Sequence, residues 1–403
     1  MRQSNDGMLG AMPVPRLVVT MSLPIMLSML ISAVYNLVDS VYVAQYSDEA
    51  FLALSYAYPI QMLLVAFCSG IGVGFSAIFS RRLGEGDQEQ AASAVCHGFF
   101  LYGLCWLLFL LFALTGAAPF LRLSTEDPSV ARQGAQYLLI CCGLSIGTCM
   151  QFLTERILQA MGRPAGFMIV QGSGAILNLI LDPIFIFVLD LGVAGAAAAT
   201  VIGQISGALI GFWLVYRLRH QLPIRLRGFR PRGEMLAEMG RVAAPAVVMQ
   251  SLSSFMSLGL NQLLTRWSES AVFVLGAYFK LQTFIFMPIF GISSGLIPIL
   301  SYNYGSGALR RVSASVRFGQ QFTAVLSLSG ALLLSLLASP LLRSAFRASP
   351  EALAMGTPAL RIIALSFFFA GTSIIFCSAF QSLGRSRWSL LVALLRQILL
   401  LLP

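Results

Sequence analysis

The stretch GIGVGFSAIFSRRLGEGD, Gly70 to Asp87, returns later in the chain as GISSGLIPILSYNYGSGA, Gly291 to Ala308. Laid over each other, the two set Gly70 on Gly291, Gly74 on Gly295, Ser80 on Ser301, Gly84 on Gly305 and Gly86 on Gly307. Every pair lies at an offset of 221 residues, with no gap. Pro24 falls on Pro245 in the same register, and LQAMGR (158–163) falls on FQSLGR (380–385) after a shift of one residue. Self-similarity at one fixed long offset marks a duplicated architecture.

What is duplicated is a set of membrane helices. Of 403 residues 57% are hydrophobic and 10% charged, and the mean hydropathy is +0.82, so too little polar surface remains to face water. Apolar stretches of about 20 residues, the length that crosses a hydrocarbon layer of ~30 Å, are expected at 17–44, 51–80, 91–118, 131–160, 166–190, 193–217, 238–266, 272–302, 315–341, 354–382 and from 388 onward. Six spans per repeat is an even number, so the second half enters the membrane in the same orientation as the first. The halves are then parallel repeats about an axis along the membrane normal, an arrangement that most often encloses a substrate path. The expected fold is an all-α polytopic membrane protein of two six-helix repeats, twelve helices in all, with the sequence stopping inside the eleventh. Residues 1–220 form the first lobe, 221–237 a basic cytoplasmic linker, and 238–403 a second lobe incomplete at its C-terminus.

The net charge of +10 would suit nucleic acid, but its placement argues against that. Arg2, Arg16, the Arg81/Arg82 pair, Arg163, the run from Arg217 through Arg232, Arg310/Arg311 and Arg385/Arg387 fall on one side of the predicted spans. The opposite loops carry YSDEA, STEDP and SESA. By the positive-inside rule the basic side and the N-terminus are cytoplasmic. The polar start has no cleavable signal pattern. Seven cysteines inside or beside apolar spans show no spacing for a disulfide framework or a zinc site, and read as small apolar residues. His97 and His220 sit near the predicted boundary; no Ser/His/Asp or HExxH arrangement appears, so no enzyme is expected.

Two acids lie deep in apolar spans: Asp39 in AVYNLVDSVYV and Asp182 in NLILDPIFIF. A charge at mid-bilayer costs at least ~2.5 to 3.5 kcal/mol on insertion scales, so such residues face a cavity or a partner and mark ion or proton paths. Spans one and five run the same way, and each aspartate lies past the middle of its span, which puts both at similar depth. Asn178 stands one turn before Asp182 on the same face, and Asn36 stands three residues before Asp39. Pro183 has no N–H to donate and frees a carbonyl near Leu179, offering a point of bending. The small residues of GVAGAAAAT permit close helix approach and bring Thr200 to the same depth. Asp39, Asn36, Asn178, Asp182 and Thr200 are therefore the candidate cation or proton site.

The runs PIMLSMLISAVYNLVDSVYVAQ, ILQAMGRP and NLILDPIFIFVLDLGVAGAAAATVIGQ resemble the multidrug and toxic compound extrusion (MATE) family, in particular its bacterial MepA-like branch. The likeness covers essentially the whole chain. It implies a two-lobed antiporter of the bacterial cytoplasmic membrane that expels amphipathic, mostly cationic organic compounds in exchange for H⁺ or Na⁺, with no other cofactor. In members with a first-lobe cation site, an Asp on helix one, an Asn and an Asp a turn apart on helix five and a Thr on helix six form it. Asp39, Asn178, Asp182 and Thr200 match that pattern, and a Na⁺ ion would bind there. Monomers are expected, with lipid and small organic cations as partners and no nucleic acid. A flippase for lipid-linked saccharides is the alternative; it calls for several basic residues along the cavity, and the interior offers Lys280 and Arg396. Lys280, Tyr35, Met161, Met256 and Phe284 are candidate cavity residues, and Glu155 beside Arg156 reads as a structural ion pair.

Overall fold

The computed structural model describes residues 8–218, 220–221, 229–265, 269–345 and 349–395; at positions 37, 253–265, 269, 272 and 345 only the backbone is described. Arg2, Arg396 and the middle of the basic run, 222–228, lie outside the described residues. After a short helix at Met8–Ala11, the first half contains α1 (Val14–Tyr46), α2 (Asp48–Glu85) and α3 (Gln88–Thr115). A short helix, Ala117–Ser124, leads into α4 (Pro128–Gly143) and α5 (Ile146–Ala160), then α6 (Pro164–Pro183) and α7 (Gly192–Arg217). The second half contains α8 (Gly233–Thr265), α9 (Glu269–Gly305), α10 (Leu309–Pro340), α11 (Pro350–Ala364), α12 (Phe367–Ser382) and α13 (Ser386–Leu394). Seven of the described helices are long and apolar enough to cross a membrane, or nine if each bent pair counts as one span. α8 begins at Gly233, inside the stretch expected to be linker.

Local chemistry sets the helix ends. Ser47 caps α2 by accepting from the Ala50 N–H at 3.0 Å, and Asp48 and Glu49 sit in the first turn, where the helix dipole favours negative charge. α2 closes at Gly86 with φ 79°, and the repeat-related turn closes at Gly307 with φ 77°, a left-handed geometry that glycine adopts without penalty. Between α4 and α5 the chain bends by 43°, and between α11 and α12 by 42°. Both bends fall on a Leu-Ser pair, Leu144–Ser145 and Leu365–Ser366, again 221 apart. In each the serine hydroxyl donates to the carbonyl three residues back, Cys142 or Ile363, at 2.7 Å. A hydroxyl that captures a backbone acceptor competes with the helix ladder and bends it.

The duplication is visible on both the outside and the inside of the bundle. Leu104, Leu107 and Leu111 of α3 are exposed, as are their counterparts Val325, Leu328 and Leu332 of α10, an apolar stripe suited to lipid. Where the halves meet, glycines admit the opposing backbone. A Cβ at Gly70 would overlap Val247 and one at Gly291 would overlap Met26; Gly74 abuts Ala243 and Gly295 abuts Ser22; Gly84 abuts the Tyr302 carbonyl and Gly305 the Arg81 carbonyl. Within each couple of contacts the opposing residues are themselves 221 apart, so the two lobes pack about a pseudo-twofold axis.

Polar links reinforce this contact at the end where α2 finishes and α8 begins. Arg82 pairs with Glu238 at 2.8 Å, and Arg311 donates to the carbonyls of Leu9 and Met12 at 3.2 and 2.8 Å. The Arg232 N–H donates to His97 Nε2 at 2.9 Å. Deeper in, Arg156 donates to Ser294 Oγ at 2.5 Å and Gln159 to the Ser294 carbonyl at 2.7 Å, both across the lobes. Gly84→Val or Gly305→Val should therefore force this end apart, seen as a longer spin-label distance between exposed sites on α2 and α10; an unchanged distance would refute the packing role.

Candidate functional site

The site is built where α1, α6 and α7 converge. Small residues allow the approach: Gly174 and Gly203 each face the other's carbonyl, Gly207 faces that of Val170, and Gly195 faces that of Phe185. With α6 and α7 this close, Asn178 Nδ2 reaches both Asp182 Oδ1, at 3.1 Å, and Thr200 Oγ1, at 3.4 Å. α1 joins through Gln171 of α6, whose Nε2 donates to Ser32 Oγ at 2.6 Å. Seven residues beyond each of these partners, on helices that cross the bundle in the same direction, stand Asp39 and Asn178. Two helical turns of equal rise bring them level, and Asp39 and Asp182 lie within electrostatic reach of each other.

These side chains are buried, and their hydrogen bonding is incomplete. Asp39, Asn178 and Asp182 are shielded from solvent, yet among the described residues Asp39 Oδ1, Asn178 Oδ1 and Asp182 Oδ2 have no hydrogen-bond partner, and neither does Gln171 Oε1. No lysine or arginine among the described residues pairs with either aspartate. Leaving a buried polar group without a partner costs about 1–3 kcal/mol, more if it is charged. Oxygen acceptors gathered without a basic counter-charge form a site that a proton or a small hard cation would complete. Pro183 is followed by a wider π-helical turn, Ile184–Val188, rather than by a continued α-helix.

The other candidates fall in different places. Tyr35, one turn before Asp39, is half-buried and within electrostatic reach of Asp39, Asp182 and Glu155. Asn36 is exposed and donates to its own helix, to the Ser32 carbonyl at 2.8 Å, so it does not join the cluster. Lys280 and Phe284 are exposed on the face of α9 that, at Gly291 and Gly295, packs on α1. Met161 is half-buried and packs against the core of the first lobe. Met256 lies on α8, its side chain outside the described set.

The expected Glu155–Arg156 ion pair is absent. Neighbouring residues on a helix point about 100° apart, and here Glu155 accepts from Gln151 Nε2 at 2.9 Å while Arg156 turns to Gln159 Oε1, at 3.0 Å, and Ser294. Other polar contacts were not anticipated. Thr148 donates to Gln204 at 2.5 Å, one turn along α7 from Thr200, and Gln171 links α1 to α6. Gln171, Asn178 and Asp182 share one face of α6, at spacings of seven and four, a pattern from which Gln171 was recoverable.

Known proteins share this fold. The MatE family profile matches residues 24–184 and 245–403, so its two segments open on Pro24 and Pro245, partners in the repeat. The multidrug export protein MepA of Staphylococcus aureus (strain MRSA252) is 26% identical over 402 residues, covering 96% of this chain and 86% of that protein. MepA of Staphylococcus saprophyticus is 26% identical over 386 residues, covering 94% and 84%. A multidrug resistance MATE family transporter of the MOP superfamily, solved in an outward-facing conformation, superposes with a TM-score of 0.92 at 24% identity, over 99% of this chain and 89% of that one. A MOP superfamily transporter from Pyrococcus furiosus gives 0.91 at 24%, over 98% and 89%. A profile carried by both halves, on a bundle whose lobes keep one register, places this chain in the MatE family, on its MepA-like branch.

Proposed function

We propose that this protein is a multidrug exporter that moves amphipathic, mostly cationic organic compounds out of a bacterial cell against an inward flow of H⁺ or Na⁺. The observation that carries the reading is that, among the described residues, three buried oxygens on Asp39, Asn178 and Asp182 have no hydrogen-bond partner and no basic residue pairs with either aspartate. A coupling ion supplies the missing partner: a proton gives each carboxyl a donor, and Na⁺ takes the oxygens of Asp39, Asn178, Asp182 and Thr200 as ligands. Binding there alters how α1 and α6 hold each other, and α1 also carries Ser22 and Met26 at the lobe interface, so ion loading and lobe contact act on one helix. Lobes latched at one end, with Lys280 and Phe284 exposed further along the α9 face that meets the first lobe, suit alternating access to a cleft between them. The arginine-rich loops make the latched end cytoplasmic, which directs the open cleft and the aspartates outward. The membrane potential then assists entry of the coupling ion by about 2.3 kcal/mol per charge per 100 mV.

Ethidium efflux from proteoliposomes under separately imposed pH and sodium gradients tests the reading. Uphill efflux driven by one of the two gradients is expected, and its absence under both would exclude a cation-coupled exporter. Asp39→Asn and Asp182→Asn should each lower efflux by about tenfold or more, the loss of an interaction needed for turnover, at unchanged abundance in the membrane. Wild-type efflux from both variants would remove the site assignment. Lys280→Glu replaces a repelling charge in the cleft with an attracting one and should lower the KM for ethidium; an unchanged KM would take Lys280 out of the substrate path.

A further inference from the structure

Three of the seven cysteines, scattered in sequence, meet in space. Cys68 of α2, Cys105 of α3 and Cys149 of α5 bring their sulfurs within 4.8 Å of one another. The Cys68 and Cys149 sulfurs are 3.7 Å apart, and all three residues are buried, with free thiols. A trigonal centre with metal–sulfur bonds of about 2.3 Å sets its sulfurs roughly 4 Å apart, close to the spacing already present.

The surroundings add an electrostatic argument. Tyr102 donates its hydroxyl to the Cys68 carbonyl at 2.9 Å. Gly72, one turn further along α2, has no side chain, and both the Tyr102 hydroxyl and Arg156 Nε come up against it. Among the described residues the Nε of buried Arg156 has no hydrogen-bond partner, its hydrogen bonds go to the neutral Gln159 and Ser294, and the neighbouring Glu155 acts on it only through longer-range electrostatics. No ion pair to it exists among the described residues. A buried cation without an anion in contact is costly, and an anionic centre beside Tyr102 would offset it.

We propose that Cys68, Cys105 and Cys149 form a binding site for a soft monovalent cation of the copper(I) type, separate from the aspartate cluster. Thiolates select soft ions. Structural zinc closes with four protein ligands, whereas among the described residues no histidine or carboxylate joins these three. Each thiol that ligates as thiolate releases one proton; with two thiolates, one thiol and one Cu⁺ the centre carries a single negative charge, matching the one positive charge of Arg156. Binding would tie α2, α3 and α5 together within the first lobe, where none of the three cysteines touches the proposed coupling site.

The test is an anaerobic titration of the reduced, detergent-solubilised full chain with Cu(I) in competition with bicinchoninate. One copper per chain is expected, with X-ray absorption showing coordination by sulfur alone. Cys68→Ser, Cys105→Ser and Cys149→Ser should each weaken retention by about tenfold or more, on the scale seen when metal-site partners are lost, while Cys141→Ser/Cys142→Ser keeps it. Failure of the unaltered chain to hold copper against the chelator, or nitrogen and oxygen coordination in its absorption spectrum, overturns the site whether or not the serine variants fold. Equal retention by a folded triple-serine variant would do the same.

Discussion

An apolar surrounding offers a polar atom no partner, so each one inside this bundle must find its partner within the protein or receive one from outside. The interior divides along that line. Gln159, Ser294, Thr148 and Gln204 are tied into hydrogen bonds between helices and hold them in place. Asp39, Asn178 and Asp182 keep oxygens that no described residue satisfies. Groups of the first kind stabilise one arrangement of helices, whereas those of the second kind leave an energetic opening for an ion.

The duplicated frame and the chemistry it carries obey different rules. Packing at the lobe contact is symmetric, because a glycine that admits a backbone on one side needs its counterpart on the other for the pseudo-twofold to hold. Polar content is not symmetric. Asp39 has Leu260 as its repeat partner, and Lys280 has Pro59. One lobe thus carries the buried acids, and the lysine belongs to the other. Backbone approach constrains both halves equally, while an ion site is needed once.

Arg156 joins these themes. It holds the lobes together through Ser294 and stands beside Tyr102 on the way to the three clustered cysteines. A guanidinium remains charged under all ordinary conditions, so its burial without an acid in contact makes it a fixed source of positive potential inside the first lobe. The buried aspartates and the sulfur cluster both lie in the lobe that carries this charge, on different helices.

The amino-acid sequence by itself determined the helical class, the register of the duplication and the face shared by Asn178 and Asp182, since each depends on composition or on spacing along one chain: apolar content, a fixed offset, or the 3.6-residue turn. Only the tertiary structure decided which helices supply the partners. Ser32 meets Gln171, Arg156 meets Ser294 rather than its neighbour Glu155, and three distant cysteines converge. Those contacts follow from the rotation of each helix about its axis and its depth beside the next, quantities that arise when all the faces pack together and that no single helix encodes.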